Sequence, residues 1–333
     1  MAKDVIDLPE PADVEAAAVR IAPYVHRTPV MTSTSLDTEL GAHLYFKCEN
    51  LQRTGAFKAR GATNAVFSLD GAAAARGVAT HSSGNHGAAV AMAAALRGIP
   101  AWVVVPEDAS AFKRTAVERY GGIVVPCAPG LANREAALKE VASRTGAEIV
   151  HPFDDARVIA GQGTVALELL EQVGHLDLLI APVGGGGLVS GCALVARQRL
   201  PEIRIVAAEP AGADDAWQSL RAGRRMAVAQ PETVADGLKA SIGERNWRLI
   251  SRLVDEIVRV GEAEIVAAMR TVWERLKIVV EPSGAVPLAA VLSGGLPAAY
   301  RHIGLVLSGG NLDLDTLPAL FSAGSPGPAH ARS

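Results

Sequence analysis

An α/β fold with a mostly parallel sheet and helices on both faces is predicted by three features of this 333-residue chain. Short β-branched runs alternate with Ala-rich stretches of helical length, the order that builds parallel sheets. Several of those runs end in a turn rich in Gly, Ser or Asn, and a helix pattern follows. The composition agrees, because 33 glycines and only 4% aromatic residues suit tight turns and closely packed helices.

The elements follow in order. Strand patterns occupy HLYFKCEN (43–50), AWVVVP (101–106), GIVVPC (122–127), EIVHP (148–152), LLIAPV (178–183), RIVAAEP (204–210) and IGLVLSG (303–309). Helical patterns occupy 12–22, 85–97, 111–120, 132–145, 163–173, 188–199 and 263–276. In the last of these, Ile265, Met269, Val272 and Leu276 share one stripe at helical periodicity. The turns THSSGNHG (80–87), APVGGGGLVSG (181–191) and VLSGGN (306–311) stand at carboxyl ends of strands, where open α/β sheets collect ligands.

Bulk composition excludes several classes of function. Net charge is −3, and Lys and Arg are scattered, so the basic footprint of a nucleic-acid binder is missing. No run of about 18 apolar residues is present, and the first residues lack a signal-peptide core, which predicts a cytoplasmic protein without a membrane partner. Cys48, Cys127 and Cys192 are isolated and odd in number, so they form neither a disulfide framework nor a metal spacing. They read as buried structural thiols in a reducing compartment. The segment 321–333, small and polar, is expected to be a disordered tail.

Chemistry concentrates in five places. Gly184, Gly185, Gly186 and Gly187 follow a strand and open a helix, so their backbone N–H groups form a nest for a phosphate. The spacing fits neither a dinucleotide fingerprint nor a P-loop. Ser82, Ser83, Asn85 and His86 converge at another helix N-terminus, where they could take a carboxylate and a cofactor oxygen or simply cap the helix. Ser308 ends the last strand, where its hydroxyl could meet a ring nitrogen. Glu209 and Asp215, with the Ala213 carbonyl between them, suit a hard cation held by oxygen. Lys58 lies in RTGAFKARGATNAV (53–66), flanked by Gly55, Ala56, Gly61 and Ala62, which leave room for a large planar group. A lysine in such a cleft loses hydration and becomes nucleophilic at ordinary pH. Arg53 and Arg60 in the same run read as surface charges. An amine, a phosphate nest, a carboxylate pocket and a ring-nitrogen partner together are what pyridoxal phosphate requires.

These residues resemble the fold-type II pyridoxal-phosphate enzymes, in the branch of serine racemases and threonine or serine dehydratases. TGAFKARGA, THSSGNHG, HPFDD, PVGGGG, AAEPAGADD, ADGLKASIG, EPSGA and VLSGGN occur in the family's order over about residues 12–315. The resemblance implies a tryptophan synthase β-like fold, with two open twisted mostly parallel sheets flanked by helices. It implies a large cofactor-binding domain (1–70 and 150–320) and a small mobile domain (71–149). Lys58 would carry the cofactor as a Schiff base, with Phe57 against its ring. Gly184, Gly185, Gly186 and Gly187 would hold the phosphate, Asn85 the phenolic oxygen and Ser308 the ring nitrogen. Ser82, Ser83, Asn85 and His86 would bind the substrate carboxylate, and Ser83 would face the side opposite Lys58. Glu209, Ala213 and Asp215 match an activating site for Mg²⁺, or Mn²⁺ or Ca²⁺. A homodimer acting on a small amino acid is implied, and the space after VLSGGN leaves no room for a regulatory domain. Glu281 lies in EPSGA behind the cofactor and receives no role.

The activity implied is β-elimination from a β-hydroxy amino acid (L-serine, L-threonine or 3-hydroxyaspartate), giving a keto acid and ammonia. Lys58 is the expected base, and Ser308 at the ring nitrogen favours loss of a β-leaving group over full delocalisation into the ring. Serine racemase is the alternative, because Ser83-Gly84 stands where dehydratases tend to carry Ala-Gly, whereas Phe153 stands where a racemase can carry a polar residue. A dehydratase of the hydroxyectoine-utilisation type is a further alternative. Arg134, in ANREAAL, is a candidate for a second substrate carboxylate, against the plainer reading of a surface arginine. A sensor without catalysis, on the same scaffold, is opposed by the intact Lys58.

Overall fold

The computed structural model describes residues 6–82, 84–228, 230–294 and 299–323. Ten strands lie among them: β1 (Val30–Met31), β2 (His43–Cys48), β3 (Val78–His81), β4 (Ala101–Pro106), β5 (Ile123–Cys127), β6 (Glu148–Ile149), β7 (Leu178–Pro182), β8 (Arg204–Pro210), β9 (Glu256–Val260) and β10 (His302–Leu307). They form two sheets, a six-stranded one ordered β1-β2-β10-β7-β8-β9 and a four-stranded one ordered β5-β4-β3-β6. Every pairing is parallel except β1 with β2. Strand β10 is central in the larger sheet, and its Leu305 pairs with Phe46 of β2 and Ile180 of β7. All five residues of β7 are buried, as a strand covered by helices on both faces requires.

Most expected elements fall within a residue or two of their observed bounds. The strand expected at 148–152 is limited to Glu148–Ile149, and three other expectations differ for local reasons. The helix expected at 163–173 runs Ala156–Val173, because the Asp155 carboxylate caps it by accepting from Arg157 N at 2.8 Å. The helix expected at 263–276 is α-helical only over Glu262–Thr271 and continues as one π turn, Val272–Leu276. Ile265, Met269, Val272 and Leu276 nevertheless all face the core. Residues 321–323, placed by the sequence in the tail, belong to the Leu317–Ala323 helix, and 324–333 lie outside the described residues.

The Lys58–Phe67 helix joins the two sheets. Its Ala59, Ala62, Ala65 and Val66 pack with Val78 and with Ala89, Val90 and Ala93 of the Asn85–Arg97 helix. On the other side it crosses the Ala156–Val173 helix so closely that a Cβ at Gly161 would sit 2.6 Å from Gly61 Cα. Arg60 corrects the sequence reading: it is fully buried rather than a surface charge. Its guanidinium meets both carboxylate oxygens of Glu49 at 2.7 and 2.8 Å and both of Glu168 at 2.8 Å. Lys47 completes the cluster, donating to Glu168 at 2.7 Å and the Thr28 carbonyl at 2.8 Å. Alanine-rich neighbours cannot supply an anion, so the partners of Arg60 come from distant positions invisible to local pattern.

The three cysteines are buried, and burial pushes the Cys48 and Cys192 thiols up to about 12, which leaves them unreactive. No helix among the described residues is long and apolar enough to cross a membrane.

Candidate active site

Lys58 is the first residue of its helix and follows a tight turn, Arg53–Gly55, in which Thr54 has φ of 60°. That turn is fixed to the end of β10: Phe57 N donates to the Ser308 carbonyl at 3.0 Å, and Gly310 N donates to the Gly55 carbonyl at 2.9 Å. Two sequence-predicted site residues, Phe57 and Ser308, far apart in the chain, are thereby held by a backbone bond. The Lys58 amine donates to the Pro152 carbonyl at 2.7 Å and lies 5.1 Å from the Phe57 ring centroid. Desolvation lowers its pKa from the usual lysine value to about 8. The amine is thus a nucleophile and base near neutral pH rather than a solvated cation.

The tetraglycine turn lies between β7 and the Gly187–Arg199 helix. Its glycines are required by close neighbours: a Cβ at Gly185 would lie 2.3 Å from the Phe153 ring, one at Gly184 2.8 Å from Leu238 Cα, and Gly186 has φ of 93°. The Gly185 carbonyl accepts from Gly243 N at 3.1 Å and Asn246 Nδ2 at 2.7 Å. Its peptide plane therefore turns the Gly186 N–H to the opposite side, and the Gly186 carbonyl is used by Ser190 N inside the helix. The N–H groups are left at the positive end of a helix dipole, which suits a phosphate.

HPFDD supports this turn from below. His151 Nδ1 accepts from Asp154 N at 2.9 Å, and Asp154 in turn accepts from Arg245 N at 2.9 Å. Asn246 Nδ2 also donates to the Phe153 carbonyl at 3.0 Å, so the motif and the glycine turn share one clamp. The Phe153 ring meets His151 edge-on at 4.6 Å and covers Gly185. Sequence reasoning noted Phe153 only as a departure from a pattern; Asn246, the shared clamp, carried no motif and was missed.

Asn85 begins the Asn85–Arg97 helix. Its Oδ1 accepts from Asn311 Nδ2 at 2.9 Å, and its Nδ2 donates to Glu281 Oε1 at 3.0 Å. Ser82 Oγ accepts from Gly84 N at 3.2 Å, and Ser83 lies outside the described residues. His86 is 2% exposed, its Nε2 meets the Val150 carbonyl at 3.3 Å, and burial holds its pKa well below the usual range. It is neutral, with Nδ1 left without a partner. Ser308 is 3% exposed at the end of β10.

Arg134, on the Leu131–Thr145 helix, is half-buried rather than a fully exposed surface charge. Its Nε is buried without a hydrogen-bond partner, and its charge helps burial to lower the pKa of His81 to about 4. His81 and His151 meet edge to face at 5.7 Å. Two neutral imidazoles and an unpaired guanidinium form a site short of an anion.

The candidate cation site is separate. The Glu209 carboxylate accepts from Ala216 N at 2.9 Å and Trp217 N at 2.8 Å, at the start of the Asp215–Ala222 helix. Burial pushes Glu209 up to about 9, and Asp214 and Asp215 add to the effect. Asp215 accepts from Ile242 N at 2.7 Å and is pushed up by burial to about 6. Asp214 is not part of this pair: it turns to Arg259 at 2.9 Å. The two carboxylates, with the buried Ala213 in the turn between them, are hard oxygen donors, and no group of three or more His, Cys, Asp or Glu side chains able to hold a metal gathers among the described residues.

Comparison with known proteins agrees with this geometry. A family model described as pyridoxal-phosphate dependent enzyme matches residues 21–309. The chain is 50% identical over 311 residues to a beta-hydroxyaspartate dehydratase of Paracoccus denitrificans, covering 93% of this chain and 99% of that one. It is 50% identical over 321 residues to a serine racemase of Arabidopsis thaliana, covering 95% of both. A solved structure of maize serine racemase superimposes with a TM-score of 0.92 at 48% identity, covering 95% of this chain and 98% of that one.

Proposed function

This chain belongs to the pyridoxal-phosphate dependent enzymes, and on that premise we propose that it dehydrates and deaminates a β-hydroxy amino acid, with 3-hydroxyaspartate its preferred substrate. The observation that carries the reading is the Lys58 amine, desolvated and held at 2.7 Å from the Pro152 carbonyl beside the glycine turn. The residues fit the cofactor. Lys58 attaches it, Phe57 lines its ring, the N–H groups of Gly184 to Gly187 take the phosphate, Asn85 takes the phenolic oxygen and Ser308 the ring nitrogen. Bound there, pyridoxal phosphate withdraws electrons from the substrate's α-carbon and acidifies its α-proton.

The chain's own residues do the rest. Lys58, freed by the incoming amine, removes the α-proton as a general base with a pKa close to working pH. Ser82 and the turn before the Asn85–Arg97 helix take the α-carboxylate at the helix N-terminus. Arg134 takes the second carboxylate of 3-hydroxyaspartate, which supplies the anion that its buried Nε lacks. The β-hydroxyl leaves as water, and the product hydrolyses to a keto acid and ammonia. Residues 71–149, which hold the four-stranded sheet, close over the substrate as a unit.

Two further readings are supported more coarsely. Glu209, Asp215 and the Ala213 carbonyl take Mg²⁺ or a similar cation, which relieves the two buried carboxylates of mutual repulsion. The exposed Leu51 and Val279, brought together by the Asn50 Nδ2 bond to the Val279 carbonyl, are apolar surface suited to a second copy in a homodimer. Racemisation of serine is the alternative activity, supported by the 50% identity to a serine racemase and by the Ser83-Gly84 pair in the sequence.

The test is a substrate panel of L-serine, L-threonine and the 3-hydroxyaspartate diastereomers, with keto acid and product enantiomer measured together. Keto acid from 3-hydroxyaspartate at the highest kcat/KM supports the reading. Faster formation of D-serine than of pyruvate, suppressed selectively by Ser83→Ala, replaces it with racemisation.

A further inference from the structure

EPSGA is a family-like motif that the mechanism above leaves idle, and its Glu281 is a buried carboxylate with no assigned role. It stands at the N-cap of the Pro282–Leu292 helix, 7% exposed, with its backbone N–H donating to the Gly309 carbonyl at 3.0 Å. The side chain lies over Gly309, where a Cβ would come within 2.7 Å of Oε1, so it sits directly behind Ser308. It makes no cap bond to its own helix. Instead Oε1 accepts from Asn85 Nδ2 at 3.0 Å, and the backbone N–H of Asn311 also points to the carboxylate.

This bond crosses the molecule. Glu281 is packed among elements of the six-stranded sheet, whereas Asn85 begins the helix that packs on β3 and β4 of the four-stranded sheet. Asn311 closes the other side of the same amide, donating to Asn85 Oδ1 at 2.9 Å and to the Thr54 carbonyl at 2.6 Å. Thr54 is in the turn that launches Lys58. With Oδ1 and one Nδ2 hydrogen committed, the orientation of the Asn85 amide is fixed, and a single N–H remains for a ligand. An ion pair spans the same gap: Lys113, on the Ala111–Arg119 helix, meets Asp236 in the ADGLKAS segment.

We propose that Glu281 is a positioning residue for the reaction: its carboxylate fixes the Asn85 amide across the cleft and thereby sets how tightly the small-sheet side engages the cofactor. The proposal rests on the reading of Asn85 as a cofactor contact. It also makes engagement sensitive to protonation. A carboxylate buried behind the ring is pushed up to about 7, chiefly by desolvation, with Asp236 adding to the rise and Asn85, Asn311 and Lys113 opposing it. These are the polar and charged groups that face it from the packed elements, and Lys239 touches it only through Asp236 at 3.8 Å. The sign follows directly. Above about pH 7 the ionised carboxylate makes a charge-assisted bond to Asn85, and as pH falls through that value protonation weakens it.

The experiment measures pyridoxal phosphate dissociation by equilibrium dialysis, and fluorescence of the bound cofactor, between about pH 5.5 and about 8.5. Wild type, Glu281→Gln, Glu281→Asp, Asn85→Ala and the double variant Asn85→Ala/Glu281→Gln are compared. Wild type is expected to bind about tenfold more weakly below the transition than above it, the scale of losing a charge-assisted hydrogen bond. Glu281→Gln should bind as weakly as protonated wild type on both sides of about pH 7, with no fluorescence transition near that value and only the Lys58 transition at about 8 remaining. Glu281→Asp should restore the pH dependence. Asn85→Ala should abolish the transition at about pH 7, and adding Glu281→Gln should then change affinity less than twofold. If Glu281→Gln keeps the wild-type pH profile, or if the two substitutions multiply independently, Glu281 does not act through Asn85 and the proposal is overturned while the cofactor reading stands. Should Glu281→Gln fail to fold, a transition at about pH 7 that survives in Asn85→Ala overturns it equally. A wild-type protein that takes up no pyridoxal phosphate overturns the cofactor reading and this proposal together.

Discussion

Phe57 N donates to the Ser308 carbonyl at 3.0 Å, so the residue before Lys58 is tied to the residue that follows strand β10. The bond explains how a helix start and a strand end, far apart in the chain, keep one geometry without a side-chain contact. Next along the chain, the desolvated Lys58 amine donates to the Pro152 carbonyl at 2.7 Å.

The first concerns uptake of the cofactor. Only the neutral amine attacks an aldehyde, and burial lowers the Lys58 pKa to about 8. The rate at which cofactor-stripped protein takes up pyridoxal phosphate should rise with pH and level off above about 8. Stopped-flow absorbance measures it; a midpoint near the ordinary lysine value would place the amine in solvent.

Arg134 should discriminate between substrates. Arg134→Met is expected to lower kcat/KM for 3-hydroxyaspartate roughly 10- to 100-fold, the range for losing a hydrogen-bonded charge, and to change serine turnover only a few-fold. Equal losses on both would return Arg134 to a structural role.

Glu209 and Asp215 should make the protein respond to divalent cations. Chelation is expected to lower the melting temperature by several degrees, about the effect of 1–2 kcal/mol in a chain of this size, and Mg²⁺ should restore it. Glu209→Gln should melt at the same temperature with chelator or Mg²⁺. A wild-type melt indifferent to both would remove the site.

Arg60 is the substitution with the largest expected effect on stability. Arg60→Met leaves Glu49 and Glu168 facing each other, with only Lys47 between them, and should lower the unfolding free energy by about 3–5 kcal/mol in urea denaturation. A change below about 1 kcal/mol would mean that water or a rearranged Lys47 replaces the guanidinium.

The contrast between Arg60 and Lys58 shows how far the sequence could be read. The class of fold was legible because strand, turn and helix chemistry repeats locally. Lys58, the glycine turn, Asn85 and Ser308 stand out as candidates because each lies in or beside a turn whose residue types have few other uses. Arg60 does not, because Glu49 and Glu168 are brought to it only by the crossing of the Lys58–Phe67 and Ala156–Val173 helices. Glu281 was hidden for the same reason: Asn85 is 196 positions away and begins a helix packed on the other sheet. The extra residues at the start of the Ala156–Val173 helix escaped because Asp155 supplies a cap that the apolar pattern does not record.

The central claim, that Lys58 carries pyridoxal phosphate, is tested most directly by borohydride reduction of the holoenzyme followed by peptide mass spectrometry. The account predicts one phosphopyridoxyl adduct, on the peptide containing Lys58, and none in Lys58→Ala, whose keto-acid release should fall by at least about 10³-fold. An adduct on another lysine, or undiminished turnover in Lys58→Ala, would contradict it.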